Sequence, residues 1–338
     1  MKTDPATTAF AGLSLLRAGA HPEAVKRATD YVVRAVEAAP EAGPLITDIT
    51  RTQPQTKLGP FIDTVLTVQF LSRVVENLPE GSDRMKRVRG ALEGCVRKLQ
   101  AAQLTDGSWG ANRGWAPVLQ SSLATSALEM ASVAETDVNP KSLSRARDYQ
   151  KSLFDVATGR ASGEGAAGVE LYSLASAKRA NAAGARYAVR AIEEAIAKGD
   201  LPADAEVSEA NLDAAGVPAG VAGGVAESFF AADLQGDRLA NDDALLRGFG
   251  SNGGEEYLSY MQTSEALVIE GGDAWLQWKE KMHFKLEKIQ SPDGSWTGHH
   301  CITSPVFSTS AVVQTLTADL DEELLRKAAT LLREMNEP

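Results

Sequence analysis

Three carboxylates occupy positions from which an acid could deliver a proton. Asp63 lies in GPFIDTVLTVQFL, and Glu255 and Glu256 are adjacent in NGGEEYLSY. A carboxyl group keeps a proton for delivery when burial or a neighbouring carboxylate raises its pKa. Each of the three also falls in the first turn of a predicted helix, where the helix dipole stabilises a negative side chain. The residues therefore fit two roles, a catalytic acid or a helix-start residue.

A second group of chemically active side chains is His299, His300 and Cys301 in GHHCITS. Three consecutive donors in a loop do not easily reach one tetrahedral zinc ion together, and the sequence contains no second donor cluster beside them. We therefore expect no metal and no cofactor, and a structural role for these residues.

Helices must position these groups, because apolar and charged residues recur at helical spacing and alternating β-branched residues are scarce. Start and stop signals divide the chain into pairs, each joining a small-residue apolar helix to a charged amphipathic helix. The predicted pairs cover 5–18 with 21–38, 60–78 with 82–103, 118–134 with 139–157, 166–181 with 183–198, 254–270 with 273–290, and 305–318 with 320–335. Between 200 and 250 the pattern is less regular and predicts a helix near 224–235 and a short one after it.

One heptapeptide occurs twice, as QLTDGSW at 103–109 and QSPDGSW at 290–296. Asp-Gly favours a tight turn, because glycine accepts positive φ and aspartate bonds its own backbone. Tryptophan offers a large apolar surface between helix pairs, and the glutamine amide can satisfy open backbone groups. We interpret both copies as structural clamps. Their shared residues are Gln103, Asp106, Gly107, Trp109, Gln290, Asp293, Gly294 and Trp296.

The helices before the two copies carry matching apolar residues at the same distances from the glutamine. Their spacing places them on one helical face, so we expect equivalent buried stripes, with Cys95 as a buried filler. The matched pairs are Leu99 and Leu286, Cys95 and Met282, and Val88 and Trp275.

The Gln-x-x-Asp-Gly-Ser-Trp motif resembles the QW repeat of the terpene cyclase and protein prenyltransferase superfamily. The segment from Asn252 to Gly298, which includes GGDAWLQW, is similar to bacterial prenyltransferase and squalene oxidase repeat proteins. The resemblance implies an all-α fold, an (α/α) toroid of inner and outer helices with about six or seven pairs. It covers most of the chain, and we expect one domain over 1–338.

The chemistry of that superfamily is not matched residue by residue. Its cyclases carry an Asp-x-Asp-Asp-Thr-Ala segment; Asp63 and Thr64 match the closing pair, but Ile62 stands where the protonating aspartate is expected. The prenyltransferase Asp-x-Cys zinc ligands would fall near Ser304 and Val306, neither of which fits. The resemblance thus predicts the fold more strongly than an activity.

A cyclase also needs aromatic side chains that stabilise a migrating positive charge. Aromatic residues make up 6% of the chain, and the tryptophans of the repeat are assigned to packing. The residues left to line a ligand site are Phe61, Trp115, Tyr172, Tyr257, Tyr260 and Phe307.

Charge and hydropathy exclude two classes of partner. With 34 Lys and Arg against 45 Asp and Glu, the net charge is −11, which disfavours nucleic acid. No uninterrupted apolar run approaches the ~18 residues of a transmembrane helix. The chain starts directly with a predicted helix, so a removed export segment is compatible with it, and the compartment stays open.

Three functions remain as hypotheses. The first is a ring that binds an isoprenoid, lipid or peptide in a central concavity, without the cyclase acid or the zinc. The second is a divergent terpenoid cyclase that uses Asp63, or Glu255 and Glu256, as acid. The third is a protein-interaction scaffold, for which a filled centre and an exposed apolar outer patch are expected.

Overall fold

A computed structural model describes residues 3–110, 113–250 and 252–334, with side chains in the last helix described to Thr330. These residues form fourteen α-helices and one two-stranded antiparallel ribbon, so the predicted all-α class is confirmed. The helices are α1 (Pro5–Arg17), α2 (Pro22–Ala38), α3 (Gln53–Lys57), α4 (Ile62–Glu76), α5 (Asp83–Ala102), α6 (Pro117–Val133), α7 (Pro140–Lys151), α8 (Glu170–Lys198), α9 (Glu209–Ala214), α10 (Ala219–Asn241), α11 (Gly254–Glu270), α12 (Ala274–Glu287), α13 (Pro305–Leu316) and α14 (Glu322–Glu334). The strands are β1 (Phe154–Asp155) and β2 (Arg160–Ala161).

Six helices contact one another in a closed cycle. The order is α1, α4, α6, α8, α11, α13 and back to α1. The charged helices pack outside this cycle, for example α5 on α4 and α12 on α11. A closed cycle of inner helices with outer partners is what the toroid predicted from the sequence requires.

The inner helices are built from small and apolar residues that are buried on nearly every side. In α11, all residues from Gly254 to Ile269 are buried, and α6 is almost as enclosed. A helix that is covered all round belongs in the interior of a protein. Proline at the first helical position starts α1, α6 and α13, where its missing N–H is not needed.

The predicted stripes on the outer helices are confirmed. Leu99 and Leu286 are fully buried, and so are Cys95 and Met282 one turn earlier. The matched residues Val88 and Trp275 are also buried. Burial raises the pKa of the Cys95 thiol to about 12, which fits its role as an apolar filler.

Three boundaries differ from the sequence prediction. The helices predicted at 166–181 and 183–198 are one continuous helix, α8, because Ala182 and Ala183 favour helix and nothing near them breaks it. The helix predicted to 157 ends at Lys151, where the β1–β2 ribbon follows. The outer partner of α8 is α10, which is longer than predicted at both ends.

The last helix also differs from the outer position that the pairing predicts. It contacts α6, α8 and α11, and so lies against the inner helices, with Leu325 and Ala328 buried. The predicted helix end at Met335 lies outside the described residues. α14 therefore covers one end of the cycle.

A small second core lies beyond the cycle. It joins the C-terminal half of α8, the short α9 and the N-terminal half of α10. Its buried residues are Ala188, Ile192, Ala195, Leu201, Leu212, Val217, Ala222, Val225 and Ala226.

The two heptapeptides form the same set of bonds. The indole N–H of Trp109 donates to the carbonyl of Leu99 at 2.8 Å, and that of Trp296 donates to the carbonyl of Leu286 at 2.8 Å. Both indoles are buried. Each tryptophan thus ties its loop to the stripe of the preceding outer helix.

The rest of the turn is also duplicated. Asp106 accepts from the amide and hydroxyl of the serine two residues on, and Asp293 does the same. Gln103 and Gln290 each donate to the carbonyl of the turn glycine, Gly107 or Gly294, whose φ is 91° or 83°. The interpretation of these residues as structural clamps is consistent with every one of these bonds.

We expect Trp109→Ala to lower the free energy of unfolding by about 3–5 kcal/mol, as for other buried aromatic residues. Trp115→Ala is the matched control: this indole is 49% exposed and its removal should cost less than about 1 kcal/mol. Urea unfolding followed by circular dichroism measures both. Equal losses in the two variants would contradict the clamp role.

Candidate functional site

Polar side chains fill the middle of the cycle and bond to one another. The amide oxygen of Gln262 accepts from the hydroxyls of Ser122 and Ser176, at 3.0 and 3.3 Å. Gln314 on α13 donates to the hydroxyl of Ser14 on α1 at 3.0 Å. These bonds join facing helices across the interior.

A network of buried charges lies between this layer and α14. Glu265 pairs with Arg17 and Arg179, and Arg179 continues to Glu129 at 2.9 Å. Burial alone would raise the pKa of Glu129. The adjacent guanidinium groups nevertheless hold this pKa below its ordinary value. The members of the network are Arg17, Arg73, Glu129, Arg147, Arg179, Glu265 and Asp321.

The cavity between the inner helices at this level has a volume of about 20 Å³ and is lined by Arg17, Gln69, Arg179 and their neighbours. A cavity of roughly this size holds one water molecule. The described residues therefore do not form, at this level, the central ligand chamber expected from the sequence.

Asp63 lies in the first turn of α4 and its carboxylate holds the start of α1. One oxygen accepts from the amide of Ala6 at 3.0 Å, and the other accepts from the Gln55 side chain at 2.6 Å. Burial raises the pKa of Asp63 to about 6, although both of these bonds oppose the increase. A carboxylate whose two oxygens both accept from N–H groups has the geometry of a structural anchor.

Glu256 caps the start of α11 with its side chain. It accepts from the amide of Gly253 at 2.8 Å, the amide of Phe249 at 3.0 Å and the hydroxyl of Tyr172 at 2.6 Å. This carboxylate has no exposed surface, and its acceptor positions are used within the protein.

Glu255 is equally buried and is less well bonded. One of its oxygens accepts a long bond, 3.4 Å, from the amide of Ile302, and the other has no hydrogen-bond partner among the described residues. Burial, with a further contribution from Glu256, raises the pKa of Glu255. Of the three predicted acids, Glu255 is therefore the one held least firmly by hydrogen bonds to the surrounding protein.

The predicted aromatic residues lie in different parts of the fold, and none of them lines the cavity between the inner helices or the larger clefts beside α10. Tyr260 donates to the carbonyl of Leu246 and packs against Tyr257 and Trp278, so it faces the outer layer. Phe307 is buried against Phe10, with ring centroids 4.8 Å apart.

The remaining predicted aromatics lie near the helix N-termini. Trp115 makes an edge contact with Phe249, whose ring also contacts His300. Tyr172 is bound to Glu256 as described, and the Phe61 amide donates to Gln120. Among the described residues no cluster of three or more His, Cys, Asp or Glu has a metal-binding arrangement, and His299, His300 and Cys301 are not one.

A cleft of about 310 Å³ lies elsewhere, between α7 and α10, with α8 as its floor. The floor and one wall are small or apolar, and the other wall carries charged residues of α7. Its lining consists of Ser144, Arg147, Asp148, Lys151, Ala180, Ala183, Gly184, Tyr187, Pro218, Gly220, Val221, Gly224, Val225, Ser228 and Ala329. This volume is in the range of small-molecule sites.

A regular spacing of small residues in the sequence marks this cleft. Small residues recur at intervals of four on α8, at Ala180 and Gly184, and on α10, at Gly220, Gly224 and Ser228. Glycine is required at 184, because a Cβ there would lie 2.6 Å from the Cβ of Ser228. α8 and α10 thus approach closely at one point and diverge beside it.

A second cleft, of about 340 Å³, lies between α10, α11 and α12. Two lysines line it: Lys178 is paired with Glu270 at 2.7 Å and also donates to the carbonyl of Ala232, and Lys281 is paired with Asp243. The charges of these lysines are therefore balanced within the protein.

Comparison with known proteins adds no assignment: the chain matches no protein-family model, and no curated protein matches it significantly. No helix among the described residues has the length and hydropathy needed to cross a membrane.

The raised pKa of Asp63 predicts a specific pH dependence of stability. The folded protein retains this proton between the ordinary pKa of 3.8 and about 6, where the unfolded chain loses it. The contribution of Asp63 is then full below pH 3.8 and is lost as the pH rises through about 6. The total change is at most about 3 kcal/mol, at about 1.4 kcal/mol per pKa unit.

Urea unfolding at several pH values tests this. The difference in free energy of unfolding between the native protein and Asp63→Asn should decrease from pH 4 to pH 7. Asp83→Asn changes an exposed carboxylate and serves as the control. A difference that stays constant over this range would show that the Asp63 carboxyl titrates alike in the folded and unfolded chain.

Proposed function

We propose that this protein is a non-catalytic ligand-binding member of the α/α toroid group, and that it binds an apolar or amphipathic small molecule between α7, α8 and α10. The observation that carries the proposal is the 310 Å³ cleft with a small-residue floor and a charged wall. Such a combination of apolar surface and a few polar groups is typical of ligand sites.

The packing inside the helix cycle favours a ligand site outside the cycle. The inner side chains bond to one another, and the cavity at their charged end has a volume of only about 20 Å³. An isoprenoid or lipid chain does not fit in that space. The ligand class expected from the sequence is therefore retained in this proposal, while its location is moved.

The cyclase hypothesis is supported less well by the geometry. A cyclase acid must point a proton at its substrate, whereas both oxygens of Asp63 accept from N–H groups and Glu256 caps α11. Glu255 has one oxygen without a hydrogen-bond partner among the described residues, but it lines neither the cavity of about 20 Å³ nor the clefts of about 310 and 340 Å³ that those residues form.

A protein-interaction scaffold is a second candidate, favoured by a separate observation. On α12, Leu276 is 61% exposed and Phe284 is 62% exposed, and they lie on the same surface. The filled interior agrees with this hypothesis as well. The double variant Leu276→Ser, Phe284→Ser should leave ligand binding in the cleft unchanged.

We expect Ala183→Leu to abolish ligand binding, because its side chain would extend into the cleft from the floor. Binding of dodecanoate below its micelle concentration, measured by isothermal titration calorimetry, should be saturable with one site in the native protein. Ala197→Leu, at an exposed position of the same helix, should bind as the native protein does.

Two results would contradict the proposal. One is the absence of saturable dodecanoate and dodecanol binding to the folded native protein. The other is turnover of squalene or geranylgeranyl diphosphate that is lost in Asp63→Asn, which would favour the cyclase.

A further inference from the structure

Lys151 lies at one end of the cleft and bridges its two walls. It is the last residue of α7, and its ammonium donates to the hydroxyl of Ser228 on α10 at 2.8 Å. None of the ion pairs formed by the described residues includes this ammonium. Its counterpart in the second cleft, Lys178, is by contrast paired with Glu270.

The described residues around Lys151 compensate its charge only in part. Burial lowers the pKa of Lys151, and the guanidinium of Arg147, one turn earlier, lowers it further. Asp148 and Glu227 act in the opposite direction, but both are exposed to solvent and neither forms an ion pair with it. A partly buried ammonium of this kind is stabilised by an anion that enters from the cleft.

The same residues limit the charge of that anion. Two guanidinium nitrogens of Arg147, Nε and Nη2, donate to a carboxylate oxygen of Glu129 at 2.9 and 2.6 Å. This pair of N–H donors is therefore not available to bind a phosphate or a second carboxylate. Asp148 belongs to the lining and repels additional negative charge. Arg147 and Lys151 are the cationic residues of the lining, and Arg147 is already paired with Glu129, so Lys151 suits a ligand with a single negative charge.

We propose that the ligand of this cleft is an amphiphile with one carboxylate, such as a fatty acid, whose head binds the ammonium of Lys151 and whose chain lies on the small residues of α8 and α10. This inference rests on the proposed function and adds the chemical class of the ligand. The hydroxyl of Ser228 positions the ammonium at the end of the cleft.

The test compares two probes with the same chain, dodecanoate and 1-dodecanol, both below their aggregation limits, by calorimetry. The native protein should bind dodecanoate at least about tenfold more tightly, the usual range for a hydrogen bond to a charged group. Lys151→Met should remove this difference and leave dodecanol binding unchanged, while Lys151→Arg should retain most of it. Lys141→Met, at an exposed position of α7, is the matched control.

The failure of this inference differs from the failure of the proposed function. If both probes bind equally and Lys151→Met affects neither, the carboxylate assignment is wrong and the cleft remains a ligand site. If neither probe binds, both are wrong. If Lys141→Met has the same effect as Lys151→Met, the preference arises from overall charge and the assignment to Lys151 is wrong.

A measurement on the native protein avoids any dependence on the folding of a variant. Reductive methylation with formaldehyde and a borohydride, followed by peptide mass spectrometry, reports the accessibility of each lysine amine. Dodecanoate should protect Lys151 several-fold, dodecanol should protect it less, and Lys141 should be methylated equally in both. Equal methylation of Lys151 with and without dodecanoate would overturn the proposal.

Discussion

The polar interior of the helix cycle is the constraint on which the rest of the structure depends. Glutamine and serine side chains from facing helices must satisfy one another there, because buried polar groups without partners are costly. The amide oxygen of Gln262 accepts from hydroxyls of two different helices, whereas its amide nitrogen has no hydrogen-bond partner among the described residues. At the charged end of this interior the cavity has a volume of only about 20 Å³, which leaves no room for a ligand at that level.

The sequence predicted the elements whose signals are local. The repeated turn and the matched stripes follow from glycine, tryptophan and helical spacing, and they are found where predicted, whereas only some of the predicted helix pairs are. The break predicted inside α8 was wrong, because the helix continues through Ala182, Ala183 and Gly184. Gly184 has no side chain and therefore leaves space for Ser228 of α10, a contact between positions far apart in sequence.

The candidate site was harder to predict for the same reason. Asp63 was recognised as a residue of a helix start, but its bond to Ala6 of another helix cannot be read from either segment alone. The cleft needs residues of α7, α8 and α10, and the glycine-rich part of α10 lies in the region that periodicity described least well. Charge balance, which distinguishes Lys151 from Lys178, depends on tertiary contacts only.

The small second core beyond the cycle affects how the proposed ligand would enter the cleft. The first half of α10 forms one wall of the cleft, and it packs mainly in this second core with α9 and the end of α8. Units with their own apolar core can open and close as local cooperative segments while the remainder of a protein stays folded. This wall of the proposed ligand site is therefore expected to exchange its amide hydrogens with solvent faster than the inner helices do.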